Sequence, residues 1–324
     1  MKAVVLSRYG SPDVLSLEEI EKPAPRRGEV LVKVHAAGVN DWDWSLVRGK
    51  PRVYRLLFGL FRPKIRVPGI EVAGVVEAIG PGVTRFAPGD RVHGDLSEAG
   101  CGGFAEYVCT PEKSLGRMTP GMSFEQAAAL PHAGLLALQG LVDVGRIRPG
   151  ERVLVNGAGG GVGMIAVRIA KRYGCEVTGV DSGSKLTAMT ALGYDHVIDY
   201  QKTDFTREGR RYDLILDAKT TRGPLRYLEA LKPGGRYVTV GGHLPRLLQV
   251  LGAGLILKVL GLRSKRLKIL ALKPNKDLDE IGRLFEAKEL ECLIDGPHRL
   301  EEIPAALARF GAGEHVGKVV VTVN

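Results

Sequence analysis

Residues 156–163 read Asn-Gly-Ala-Gly-Gly-Gly-Val-Gly. A short apolar run, residues 153–155, precedes them, and a helical pattern follows over residues 162–173 with apolar positions at Ile165, Ala166, Ile169 and Ala170. Small residues at such a junction let backbone approach an anion. The first N–H groups of a helix have no intrahelical acceptor and lie at the positive end of its dipole, so a phosphate placed there is held by several donors. A Cβ at Gly160 would hold the phosphate away, and one at Gly163 would keep the helix off the strand. Ala158 stands where the strict pattern has glycine, so Ala158, Gly159, Gly160, Gly161, Val162 and Gly163 form A-x-G-x-x-G. Asp181 ends the next apolar run, 21 residues after Gly160. That is close to the roughly 20 expected for the acid that binds the adenosine ribose of a dinucleotide. A carboxylate there favours NADH by repelling a 2′-phosphate. Lys185 and Tyr200 permit NADPH, so the residues leave the preference open.

Around this turn, strands and helices alternate. Strand patterns at residues 153–155, 177–180, 196–198, 214–216, 237–240 and 267–271 are separated by helical ones at 162–173, 185–192 and 224–231. That order predicts a doubly wound parallel sheet, a Rossmann domain. Residues before 123 read differently. Short β-branched runs at 30–34, 72–79 and 91–93 are broken by Gly80-Pro81-Gly82 and Pro88-Gly89-Asp90, as in a barrel or sandwich. Ser123 and Gln126 are spaced as a capping box opening an Ala-rich helix. A helix at 303–310 and a strand at 318–323 end the chain. The expected division is residues 1–123 with 272–324 in a β-rich domain and 124–271 in the dinucleotide domain.

With 324 residues, two cores are expected, and 44% hydrophobic with 25% charged residues excludes a disordered or fibrous chain. Four widely spaced cysteines, Cys101, Cys109, Cys175 and Cys292, form neither a disulfide framework nor a zinc ribbon. The apolar run that follows Met1 is too short for a signal-peptide core, so a cytoplasmic location is expected. A net charge of +10 admits nucleic acid as a partner, but no RNA-recognition signature accompanies it, and none is expected to bind.

Several segments together resemble the medium-chain dehydrogenase/reductase superfamily, and across nearly the whole chain its zinc-independent, quinone oxidoreductase-like branch. They are Ala37-Gly38-Val39-Asn40-Asp41-Trp42-Asp43, Pro68-Gly69-Ile70-Glu71-Val72-Ala73-Gly74-Val75-Val76, Pro88-Gly89-Asp90-Arg91-Val92, Gly102-Gly103-Phe104-Ala105-Glu106-Tyr107, Leu130-Pro131-His132-Ala133-Gly134-Leu135 and His315-Val316-Gly317-Lys318-Val319-Val320. The resemblance implies a GroES-like barrel beside the Rossmann domain, further cofactor contacts at Gly241 and Lys318, and a homodimer. It also exposes departures. Asn40 stands where zinc alcohol dehydrogenases carry a cysteine ligand, and Ile70 where they carry a histidine. His132 falls near the third ligand's region and is expected to be a helix histidine in the core. No zinc is expected. Leu136 replaces a threonine common in the branch, where a contact to the nicotinamide is implied.

Without a Lewis acid a simple ketone accepts hydride poorly. A quinone or α,β-unsaturated carbonyl spreads the incoming electron density over its conjugated system and needs only modest hydrogen bonding at its oxygen. The Asn40 amide and nearby backbone N–H groups are the expected donors, with Asp43 and Arg48 shaping the cleft. The expected function is NAD(P)H-dependent reduction of such acceptors. The alternatives are a zinc-free NAD(P)-dependent alcohol dehydrogenase and a non-catalytic nucleotide- or RNA-binding protein. Residues 44–70 and 243–276 contain no Asp or Glu. They interleave basic residues (Arg48, Arg55, Arg62; Arg246, Lys258, Arg263) with apolar ones (Leu57, Leu60, Phe61; Leu251, Leu255, Val259). Neither is a span of about 18 apolar residues. Dimer packing, a cleft for a lipophilic quinone or carbonyl, and peripheral contact with an anionic membrane are the three readings.

Overall fold

The computed structural model describes residues 1–242, 244–261 and 264–323. The chain forms two compact units, one of Met1–His132, Pro274–Lys288 and Cys292–Asn324, the other of Ala133–Lys273 and Glu289–Glu291.

In the first unit the long strand Glu29–Gly38 is the organiser. Val30, Leu31, Val32 and Val34 are buried while Lys33 is exposed, so most of the strand is covered on both faces. It pairs antiparallel with Glu71–Ile79, Tyr107–Pro111 and Lys318–Thr322. Glu71–Ile79 in turn pairs antiparallel with Arg91–Asp95. Ile294–Arg299 lies parallel to Lys318–Thr322, so the C-terminal return closes the β-rich half. The helix Phe124–Ala129 carries the expected capping box, with Gln126 N–H donating to Ser123 Oγ at 3.2 Å and Ser123 N–H to Gln126 Oε1 at 2.9 Å. It packs on the strands of this unit rather than on the parallel sheet. Its alanines permit that, because small side chains let a helix lie close to strands.

In the second unit six described strands, all parallel to their neighbours, run in the order His196–Asp199, Glu176–Asp181, Arg152–Asn156, Tyr212–Asp217, Leu231–Thr239, Arg266–Ile269. The order reverses between Arg152–Asn156 and Tyr212–Asp217, the point at which α/β sheets open a crevice at their carboxyl ends. Continuous apolar runs form the central strands Arg152–Asn156 and Tyr212–Asp217, as expected of a parallel sheet covered on both faces. The helix Gly161–Arg172 buries Met164, Ile165, Ala166, Val167, Ile169 and Ala170, and ends on Lys171 and Arg172, which suit the negative end of its dipole. Tyr227 and Tyr237, with rings 4.4 Å apart, anchor another core cluster.

Two local differences from expectation stand out. The expected helix over 185–192 is a single turn, Gly183–Lys185, followed by Leu186–Ala191. Within residues 243–276 lies a 16-residue helix, Leu244–Val259, that hydrophobic periodicity does not reveal because apolar residues surround it. Leu248, Leu251, Leu255, Ile256 and Val259 are exposed on it, Val259 at 76%. His243 and Arg263, and the side chain of Leu57, lie outside the described residues. No helix among the described residues is long and apolar enough to cross a membrane.

Candidate functional site

The turn after Arg152–Asn156 is tied to the adjacent strand, since the N–H groups of Gly157 and Ala158 both donate to Val180 O, at 2.9 and 3.1 Å. Gly157 has φ of 88°, which favours glycine. Gly160 is the extended residue from which the helix starts. A Cβ added at Gly163 would lie 2.3 Å from Ala158 O, so that glycine sets the approach of helix to strand. The first-turn amides of Gly161 and Val162, both half-buried, lack intrahelical acceptors by geometry. These residues fit a pyrophosphate.

Asp181 is buried, and it does not stand free for a ribose as expected. Its Oδ2 accepts from Gly159 N–H at 2.9 Å and its Oδ1 from Ser182 N–H at 2.9 Å, while Lys185 Nζ lies 3.5 Å from Oδ1. Lys185, expected to be a helix residue reaching for a phosphate, has a side chain only 2% exposed. Its methylenes lie along Gly159, where a Cβ would come within 2.7 Å of Lys185 Cδ. The reason is economy of burial: the stem covers the bare glycine backbone while the ammonium neutralises Asp181. Tyr200 is 46% exposed, and its N–H donates to Asp181 O at 3.2 Å. Gly241 O accepts from Thr239 Oγ1 at 2.6 Å and from Thr220 Oγ1, and a Cβ there would meet nothing within 4 Å.

Asp217, at the carboxyl end of its strand, is a residue without an expected role. It accepts from Asn156 Nδ2, Thr220 N–H and Tyr237 Oη, all at 2.8 Å, and from Lys219 N–H at 2.9 Å. It rigidifies the two strand ends on either side of the crevice. The only sequence signal is an acid closing an apolar run, which Asp181 shares.

The first unit contains a second polar cluster, buried and connected. Asp43 is fully buried; Oδ2 accepts from Asn40 N–H at 2.9 Å and Oδ1 from Gly69 N–H at 3.0 Å. Burial pushes its carboxyl up to about 7, against the opposing pull of those two amides. Asp43, expected to take part in catalysis, is sealed from solvent here and braces Asn40 and Gly69. Asn40 also differs from expectation. Its Nδ2 donates to Glu71 Oε2 at 2.9 Å and to Gly38 O at 3.2 Å, and its Oδ1 accepts from Lys318 Nζ at 2.5 Å. Both amide hydrogens are committed, leaving none for a substrate oxygen. Lys318, expected at the cofactor, is buried in this unit with its ammonium on Asn40 and Glu71. A buried ammonium needs a counter-charge, and Glu71 supplies it.

Glu71 also reaches His132, whose backbone N–H donates to Oε1 at 2.6 Å. His132 is the second residue of the helix Pro131–Leu138, so Glu71 satisfies one of that helix's orphan donors. His132 Nδ1 lies 2.7 Å from Asp95 Oδ2, and the histidine side chain is 19% exposed. Glu71 and Asp95 are paired directly across the antiparallel strands, which places their side chains on one face. Burial is the largest influence on the imidazole and pulls its pKa down, but the bond to Asp95 and the charges of Asp95 and Glu71 together leave it raised. Burial likewise pushes Asp95 up, and the bond and charge of His132 with the hydrogen bonds from Ser97 together leave it lowered.

A zinc ion does not fit these donors. Ile70 is apolar and buried, and the Asn40 amide and Glu71 are engaged by Lys318. Among the described residues no group of three or more His, Cys, Asp or Glu is arranged to hold a metal ion.

Residues 26–120 match the family described as alcohol dehydrogenase GroES-like domain, and residues 192–321 the family described as zinc-binding dehydrogenase. The chloroplastic quinone-oxidoreductase homolog of Spinacia oleracea is 31% identical, over 99% of this chain and 98% of its own length. The solved quinone oxidoreductase from Coxiella burnetii superposes with a TM-score of 0.87 at 29% identity, covering 100% of this chain and 99% of that one. Pikromycin polyketide synthase component PikAII of Streptomyces venezuelae is 37% identical over 222 residues, and the aligned region spans 6% of that protein's length. The chain belongs to the medium-chain dehydrogenase/reductase superfamily, in its quinone oxidoreductase-like branch.

Proposed function

We propose that the chain reduces quinones or α,β-unsaturated carbonyls with NADH or NADPH and without a metal. The observation that carries this reading is the turn Ala158–Gly163, whose glycines and first-turn amides fit a pyrophosphate at the reversal point of the sheet. The dinucleotide, when bound, supplies hydride to the acceptor. Gly160, Gly161 and Val162 hold its pyrophosphate, and the braced ends at Asn156 and Asp217 keep the crevice rigid. Asp181 and Lys185 form a pair without net charge at the adenosine end, so a 2′-phosphate meets neither a lone carboxylate nor a lone ammonium. Both dinucleotides are therefore accepted.

Metal independence rests on the donor set at Asn40, Ile70 and Lys318, and the acceptor class follows from it. With no Lewis acid to polarise a carbonyl, conjugated acceptors take hydride more readily than simple ketones. The exposed apolar face of Leu244–Val259 supports a lipophilic acceptor and contact with an anionic membrane surface. The test is oxidation of NADH and NADPH against a panel of quinones, enones, ketones and aldehydes, with metal analysis of the same sample. Turnover with the conjugated acceptors, unchanged by a chelator, is expected. Turnover confined to simple alcohols or aldehydes, or one firmly held zinc per chain, would sink the proposal.

A further inference from the structure

Reduction by hydride needs a proton for each hydride, and the groups expected to do chemistry are poorly placed to deliver one. Asn40 has both amide hydrogens committed, Asp43 is sealed from solvent between two backbone amides, and Lys318 is buried on two acceptors. His132 is built differently. Its Nδ1 faces Asp95, while its Nε2 has no hydrogen-bond partner among the described residues and is not among their sealed, unpartnered atoms. The histidine side chain is 19% exposed, so the ring is not closed off from solvent.

The support beneath it is extensive. Asp95 Oδ1 accepts from Ser97 N–H at 2.8 Å. Asn275 clamps the Asp95 backbone from both sides, its Oδ1 accepting from Asp95 N–H and its Nδ2 donating to Asp95 O, each at 2.8 Å. Glu71 holds the His132 amide, so ring and backbone are pinned by two carboxylates that the sheet places side by side.

We propose that His132 is the proton donor of the reaction and that Asp95 is its positioning residue, an assignment that rests on the reductase reading above. After hydride adds to the β-carbon of an enone, the substrate is an enolate. The Nε2–H bond breaks, its electron pair stays on the imidazole, and the proton forms the new C–H or O–H bond. Water then reprotonates the neutral ring. Asp95 remains a carboxylate throughout and keeps Nδ1 protonated. The groups that set the charge of this histidine are Asp95 and Glu71, which favour the imidazolium, and Lys318, which opposes it; Asp43 lies within the same field.

The experiment compares wild type, His132→Gln and Asp95→Asn, using NADPH with the best acceptor of the panel. Dinucleotide affinity by calorimetry and unfolding temperature serve as controls. In the wild type, kcat should fall as pH rises past the imidazolium's titration. His132→Gln should lose that limb, with kcat down by about 10²–10⁴-fold while dinucleotide affinity is kept. Asp95→Asn should move the limb to lower pH, and ¹⁵N NMR should show the His132 titration moving with it. If His132→Gln keeps kcat within twofold and the same profile, or if His132 titrates below the ordinary histidine value, the donor assignment is overturned while the reductase reading stands. If the wild type reduces no acceptor at all, both fall.

Discussion

Glu71 joins residues from four parts of the chain: it meets the Asn40 amide, the Lys318 ammonium and the His132 backbone, and stands across the sheet from Asp95. Asp43, close by, carries the clearest consequence for stability. The native state holds its proton up to about pH 7, whereas the ordinary carboxyl releases it near 3.8. Its contribution is therefore fully present below about pH 4, declines as pH rises, and is gone above about pH 7, a swing on the order of 4 kcal/mol. Asp43→Asn does not titrate. The stability gap between wild type and this variant, measured by urea unfolding, should shrink steadily from pH 4.5 to pH 8. A gap constant across that range would show that Asp43 stays ionised in the folded protein.

The helix Leu244–Val259 presents a face that nothing among the described residues covers; Leu255 is 63% exposed on it. Arg246 and Lys258 lie on the same helix, a composition suited to an anionic lipid surface at about 1 kcal/mol per basic residue near it. Wild type should be retained by phosphatidylserine vesicles at low salt and released as salt rises, and Leu255→Glu should weaken retention. Catalytic efficiency should rise by roughly tenfold for every two methylenes added to the acceptor's tail until the pocket is full, given about 0.8 kcal/mol each. A flat tail-length series together with no vesicle binding would remove the lipophilic reading. A mass that falls to monomer in Leu255→Glu would then assign the face to a second copy of the chain.

For the molecule as a thermodynamic unit, ligand linkage provides the check on the nucleotide turn. A dinucleotide at 100 times its Kd should stabilise the fold by about 2.7 kcal/mol. NADH and NADPH should raise the unfolding temperature by similar amounts. Gly163→Ala should abolish both rises, because its Cβ would meet the Ala158 carbonyl at 2.3 Å. Equal rises in wild type and Gly163→Ala would place the dinucleotide elsewhere. A rise with only one dinucleotide would mean that the Asp181–Lys185 pair discriminates after all.

The nucleotide-binding half was legible in the residues because its determinants are local. A strand, a small-residue turn and a helix follow one another within about 20 residues, and the ~20-residue spacing to Asp181 is set by one further crossover. The parallel strand pattern was legible for the same reason, as continuous apolar runs separated by helical ones. Lys185 was not, since only the fold shows that its stem covers Gly159 and its ammonium turns inward to Asp181. Nor was the apolar helix Leu244–Val259, whose composition gives periodicity no contrast. The cluster of the first unit lies furthest from sequence reasoning. Asn40, Glu71, Asp95, His132 and Lys318 are scattered over 278 positions, and no spacing rule links them. Antiparallel register sets Glu71 opposite Asp95, and the returning C-terminal strand delivers Lys318. Composition could say that charged side chains were present. Which of them became buried partners depended on long-range strand pairing that no local pattern encodes.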